Sequence, residues 1–183
     1  YEIEAGGQAT ISIEYDDKNH IAKTTNYDAK TQNSIVTYLF TDNLGRATQT
    51  KKSGVVDGKE TMIASGVTKF DAFGRKIAEG QPVTDNTTAL NTGDILNPTL
   101  TEYDTQDRPV KVTLPDGTAS TASYTIVEEY LKTVQTDANG HVTDSYRDMR
   151  GKDRKTVQHA DGQDVETSFY YNAIGELLSV IHP

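Results

Sequence analysis

Carboxylates give this sequence most of its reactive groups, and the first question is whether any two of them could share acid–base work. Glycoside hydrolysis needs two carboxyl groups held at a defined separation across a sugar ring. Glu128 and Glu129 are adjacent, so on a strand they would point to opposite faces and could not cooperate. Asp161, Asp164 and Glu166 are close enough to share a cation at a loop, but they lack the glycine placement and ligand order of a calcium-binding hand. Solvated charge is the favoured reading there. His20, His141, His159 and His182 show no ligand spacing, and cysteine is absent, which removes disulfides, thiolate nucleophiles and Cys-based metal centres together. There is no nucleophile elbow, phosphate loop or dinucleotide glycine pattern. The sequence predicts neither an enzyme nor a cofactor.

The aspartates do recur in a pattern. A unit reading aromatic-Asp-x-x-Gly-Arg is complete at Phe70-Asp71-Ala72-Phe73-Gly74-Arg75. Thr41-Asp42-Asn43-Leu44-Gly45-Arg46 follows it with Phe40 displaced by one. Tyr103-Asp104-Thr105-Gln106-Asp107-Arg108 puts Asp where Gly stands elsewhere. Further copies are Thr136-Asp137-Ala138-Asn139-Gly140-His141, Arg147-Asp148-Met149-Arg150-Gly151-Lys152, Tyr171-Asn172-Ala173-Ile174-Gly175-Glu176 and Tyr15-Asp16-Asp17-Lys18-Asn19-His20. An Asp or Asn at the first turn position accepts backbone N–H groups two or more residues on, and Gly three residues later takes positive φ. Asp107 fits the Gly position because Asp tolerates that conformation better than most residues. Each copy is therefore predicted to be the tip of a β-hairpin, with Asp42, Gly45, Arg46, Asp71, Gly74, Arg75, Asp104, Asp107, Arg108, Asp137, Gly140, Asp148, Gly151, Asn172 and Gly175 as turn residues rather than catalysts. Proline follows the aromatic at one constant offset in three copies, Phe70 to Pro82, Tyr103 to Pro115 and Tyr171 to Pro183. A second turn, as in Pro115-Asp116-Gly117, is expected there.

The elements that must carry these tips are strands. The chain is rich in Thr and holds 10 Tyr, residues that pack well on a pleated, half-exposed surface. Alternation runs through Ile11, Ile13, Tyr15, through Val110, Val112, Leu114, and through Val165, Thr167, Phe169, Tyr171. The best helix candidate, 119–132, carries too many β-branched and aromatic residues. A further hairpin is expected at Asp57-Gly58, and 85–99 reads as a long polar loop inserted between hairpins. No shift in composition marks a boundary, so 1–183 is read as one all-β region, and its start at Tyr1 and stop at Pro183 suggest a piece of a longer array. With 18 basic against 27 acidic residues the net charge is −9, which repels phosphate backbones, so nucleic acid is not an expected partner. No apolar run has the length of a membrane span.

Through Phe70-Asp71-Ala72-Phe73-Gly74-Arg75, Tyr103-Asp104-Thr105-Gln106-Asp107-Arg108-Pro109 and Tyr171-Asn172-Ala173-Ile174-Gly175 the chain resembles the YD-repeat, or Rhs-repeat, family from Phe40 onward. Thr41, Thr136 and Arg147 depart from it, standing where the family has Tyr. The resemblance implies consecutive antiparallel hairpins in a curved, spiralling sheet, a segment of a hollow β-shell. Family members are mostly large exported or surface proteins of bacteria, with relatives in animal teneurins, and in toxin-complex and Rhs proteins the shell encloses a toxic segment. The self-cleaving aspartate signature that follows such repeats has no counterpart here, nor does a toxin domain. The implied role is a non-catalytic scaffold, secreted or at the bacterial cell surface. Its partners would be the rest of its own longer chain and an enclosed polypeptide, with edge strands open to self-association.

Two side-chain classes remain. Exposed tyrosines could stack on pyranose rings, which makes a carbohydrate-binding adhesive module the alternative function. Tyr103, Tyr124, Tyr130, Tyr146, Tyr170 and Tyr171 are candidates, although cross-strand packing accounts for most of them. Tyr170 and Tyr171 are adjacent and must face opposite ways, so one of them is expected to be exposed. Arg46, Arg75 and Arg108 are placed to pair with the aspartates of neighbouring turns.

Overall fold

The structure is a computed structural model that describes residues 4, 5, 8–28, 30, 32–160 and 162–183. It is all-β: no helix occurs among the described residues, and the strand pairs within each unit are antiparallel. Two compact units, 1–99 and 100–183, are described in turn.

After a two-residue pairing of β1 (Glu4–Ala5) with β2 (Gln8–Ala9), the first unit holds β3 (Ile11–Asp16), β4 (Ile21–Asp28), β5 (Asn33–Thr41), β6 (Ala47–Val56), β7 (Lys59–Ala64), β8 (Thr68–Phe70), β9 (Lys76–Glu79) and β10 (Val83–Asp85). Six of these form one sheet in the order β10-β7-β6-β5-β4-β3, and β8 pairs with β9 as a hairpin. Asp57 and Gly58 both take positive φ and join β6 to β7 with Val56 opposite Lys59, a two-residue turn whose twist suits the strands.

Register fixes which side chains share a face. Phe40 lies opposite Gln49, Tyr38 opposite Lys51, and Lys51 opposite Ala64, which in turn faces Val83. On that face Phe40, Gln49, Lys51 and Ala64 are buried. Their cover is the chain that follows β10. It was expected to be a loop over 85–99, but Asp85 ends β10 and Thr99 begins the next strand, so the irregular stretch is 86–98. It is tied down at several points: the Asn91 N–H donates to Gln49 Oε1 (3.1 Å), and the Gln81 N–H to the Leu96 carbonyl (3.1 Å). A Cβ on Gly66 would collide with the Gly80 backbone carbonyl, so only glycine permits that approach.

The second unit is a plain meander of β11 (Thr99–Tyr103), β12 (Pro109–Thr113), β13 (Ala119–Val127), β14 (Tyr130–Thr136), β15 (Val142–Arg147), β16 (Asp153–Ala160), β17 (Gln163–Tyr171) and β18 (Leu177–Ile181). Each strand pairs with the next. Among the described residues of this unit only Val157 and Asp144 are buried, as cross-strand partners. Every residue of β18 is exposed. The stretch 119–132 is β13, a tight turn and the start of β14. Glu128 and Glu129 were read as strand neighbours, yet they are the two turn residues between Val127 and Tyr130, with Glu128 at positive φ.

Candidate functional site

The recurrent feature of the molecule is the hairpin tip, built by one carboxylate. At Asp42, Oδ1 accepts the N–H of Leu44 (2.9 Å) and of Arg46 (3.0 Å), while Oδ2 accepts Arg46 Nε (2.7 Å). The backbone closes beneath it: the Gly45 N–H donates to the Asp42 carbonyl and the Asp42 N–H to the Arg46 carbonyl, both at 2.9 Å. Asp71 repeats the pattern with Phe73 and Arg75, and Asp104 with Gln106 and Arg108. Asp137 holds Asn139 and His141 in the same way. Asp148 takes the N–H groups of Arg150 and Lys152, but its cation is Arg154. Asn172 accepts from Ile174 and Glu176 and donates from Nδ2 to Glu176 Oε2 (2.7 Å), a neutral version of the tip.

Positive φ falls at Gly45, Gly74, Asp107, Gly140, Gly151 and Gly175, three residues after each of these Asp or Asn residues. A bulge precedes five of the tips, at Phe40/Thr41, Lys69/Phe70, Glu102/Tyr103, Tyr146/Arg147 and Tyr170/Tyr171. Leu114-Pro115-Asp116-Gly117 closes with the same backbone bonds although Leu stands in the Asp position. The Asp116 carboxylate instead takes the Thr118 N–H and hydroxyl.

Electrostatics at the tips favour the ionised carboxylate. The Arg46 guanidinium, with backbone N–H groups, holds Asp42 below its ordinary value. Burial pushes Asp71 and Asp104 upward, but the backbone and guanidinium N–H groups of Arg75 and Arg108 outweigh it and leave both lowered. The Lys152 backbone N–H leads in lowering Asp148, against the pull of burial. Each tip carboxylate thus spends both oxygens on donors of its own hairpin, which is the work of a turn former.

The arginines were expected to reach aspartates of neighbouring turns. Arg46, Arg75 and Arg108 each pair with the aspartate of their own turn, because four residues span such a tip. The held guanidinium then reaches an aromatic ring. Arg46 stacks over Phe70, the aromatic of the following repeat, at 4.4 Å, and lies against Gly74 of that tip. Arg154 and Lys152 lie over Tyr171 at 5.2 and 5.6 Å, and Arg150 donates to the Ala173 carbonyl (3.4 Å). Arg108 stacks over Tyr124 at 4.0 Å, and Arg75 covers Phe73 of its own tip at 5.0 Å. Aspartate thus orients a cation, and the cation covers an aromatic ring.

Two polar clusters were not read from the sequence. Lys51 is fully buried and its Nζ contacts the Asp85 carboxylate, Asn91 Oδ1 (2.7 Å), and the carbonyl and hydroxyl of Thr87 (both 3.2 Å). Lys51 holds Asp85 below its ordinary value. In the second unit Asp144 binds Lys132 (2.6 Å) and faces His159 Nε2 (3.5 Å), whose Nδ1 meets Asp164 (2.8 Å). The Asp164 hydrogen bond leads in raising His159, and the one to Asp144 raises Lys132.

Asp161 lies outside the described residues. Asp164 and Glu166 pair with His159 and Lys155, and no cluster of three or more metal-ligating residues occurs among the described residues. Tyr170 is half exposed, whereas Tyr171 lies beneath its two cations. Tyr170 borders a groove of about 800 Å³ with Tyr130, Tyr146, Glu128, Arg150 and Lys155 on its walls.

No family model and no curated protein matches the chain. Solved structures do. The chain is similar to a segment of a Photorhabdus luminescens Tc holotoxin pore structure, with a TM-score of 0.71 and 17% identity over 88% of its length. Two TcdB2-TccC3 crystal structures give TM-scores of 0.70 and 0.68 at 18% and 19% identity over 89%. The chain spans 10% of each of those chains. At such identity the likeness establishes a shared fold.

Proposed function

We propose that this chain is a non-catalytic structural segment of an exported bacterial YD- or Rhs-repeat protein, secreted or held at the cell surface, and that it forms part of a curved β-shell presenting or enclosing a partner polypeptide. The observation that carries this reading is the ladder of tips. One local device, a carboxylate that closes a hairpin and aims a cation at an aromatic ring, recurs along the chain, as a wall made of repeats requires. The likeness to segments of Tc toxin chains supports the same reading. In this role Asp42, Asp71, Asp104, Asp137, Asp148 and Asn172 are structural, and the chain's partners are the rest of its own longer chain and the enclosed polypeptide. Exposed β18 offers an edge for the next strand or for a second copy.

Limited proteolysis of the full-length chain tests it. The enclosed segment resists protease in the wild type and becomes cleavable in an Asp71→Ala/Asp104→Ala double variant. Equal cleavage of both, or reproducible substrate turnover by the segment, defeats the shell reading. A second reading, a carbohydrate-binding module, draws on half-exposed Tyr170 beside the groove. Glycan-array binding lost on Tyr170→Ala and kept on Arg75→Ala would favour it.

A further inference from the structure

We propose that Lys51 and Asn91 become joined by an intramolecular isopeptide bond, formed without an enzyme, with Asp85 carrying the proton. The inference stands apart from the shell reading and rests on the most deeply buried functional group in the first unit. Lys51 is 0% exposed, in the middle of β6 and on the face covered by 86–98. Once its proton is passed to a neighbouring acceptor, a lysine amine is a nucleophile.

The electrophile is in contact with it. Nζ lies 2.7 Å from Asn91 Oδ1, so with a C=O bond of about 1.23 Å the carboxamide carbon is no further than about 3.9 Å from the nitrogen. That is close to the separation at which bound groups react. The Asp85 carboxylate touches the same Nζ and is the nearest proton acceptor. Thr87 adds two further acceptors at 3.2 Å, which orient the amine.

The step balances without an oxidant or cofactor. Asp85 takes a proton from the Lys51 ammonium, and the freed amine attacks Asn91 Cγ to give a tetrahedral adduct. Asp85 returns the proton to the former amide nitrogen, the C–N bond to that nitrogen breaks, and ammonia leaves. The bridging nitrogen gives its second proton to the Asp85 carboxylate, which is free again, and the departing ammonia carries that proton away as ammonium. The product is a Lys51 Nζ–Cγ Asn91 amide that fastens the 86–98 cover to the sheet. The gain is largest in the unfolded state, where the bond closes a long loop.

Intact-mass spectrometry of the purified full chain, with tryptic mapping, tests the bond. The wild type is expected to weigh less than its sequence by one ammonia, to resist trypsin after Lys51, and to yield a branched peptide containing Lys51 and Asn91. Asn91→Ala and Asp85→Ala are expected at full sequence mass with ordinary cleavage after Lys51. If Asp85→Ala fails to fold by circular dichroism, Asn91→Asp carries the test: condensation there releases water and gives the wild-type product mass. A wild type at full sequence mass, with Lys51 and Asn91 in separate linear peptides, overturns the proposal. Complete bond formation in a folded Asp85→Ala variant overturns the role of Asp85.

Discussion

The two units use the same hairpin tips and differ in what lies over the sheet. In residues 1–99 the 86–98 segment covers one face, and beneath it Phe40, Gln49, Lys51 and Ala64 are buried. Residues 100–183 have no comparable inserted cover among the described residues, and only Val157 and Asp144 are buried there. Stability in that unit comes from ladder bonds and from cation, carboxylate and aromatic contacts across strands, such as Lys132 with Asp144 and Tyr146. The contrast teaches that the tip specifies the path of the chain, while burial is supplied separately and unevenly. Tips act through contacts a few residues apart, whereas burial needs a second layer.

Core truncation should separate the units most strongly. Phe40→Ala removes a ring that is 2% exposed and should cost about 3–5 kcal/mol, while Val157→Ala should cost about 1–2 kcal/mol for the loss of two methyl groups. Hydrogen exchange read on β6–β7 and on β15–β16 checks this, with the large loss of protection confined to the first unit. Equal losses would remove the contrast.

Tip geometry should be alike in both units. Gly45→Ala in the first and Gly140→Ala in the second have open space for a Cβ but φ of +76° and +87°. Each should therefore cost about 1–2 kcal/mol through backbone strain alone. A difference of more than that range between them in urea denaturation would show that the tips are not equivalent.

The pH response should distinguish the units more gently. His159 lies between Asp164 and Asp144 and is raised above its usual value of 6.5. Its contribution is therefore fully present below about pH 6.5 and fades as pH rises through the raised folded value. The second unit should lose a little protection on going from pH 6 to pH 8, and His159→Gln should abolish that dependence; unchanged pH behaviour in the variant would exclude His159 as its source. The tip aspartates act in the opposite sense. Their folded values are lowered, so their contribution is present above the usual carboxylate value of 3.8 and is lost as pH falls through the folded ones. The smallest effect belongs to Tyr170→Ala. At a half-exposed position it should change the melting free energy by no more than about 0.5 kcal/mol, as thermal denaturation would show.

Hairpin positions were legible in the sequence because Asp71, Gly74 and their counterparts act on backbone groups two to four residues away. The turn expected at Pro115-Asp116-Gly117 was legible from a different signature, since Leu114 supplies no carboxylate and Gly117 takes the positive φ. Glu128 and Glu129 carried no turn signature, and only the opposition of Val127 to Tyr130 reveals their place. Lys51 gave no sign of burial. It sits beside Lys52 in a polar strand, and its acceptors Asp85, Thr87 and Asn91 lie more than thirty residues away.

By itself the sequence determined the strand-and-turn grammar of this protein, from threonine-rich alternation and from turn residues whose hydrogen bonds close within one tip. Tertiary structure alone decided which sheet face is covered, which lysine is buried, and which ring each cation meets. Those outcomes depend on register and on contacts between residues far apart in the chain. A one-residue slip would place Lys52 rather than Lys51 under the cover, and no local pattern fixes that choice.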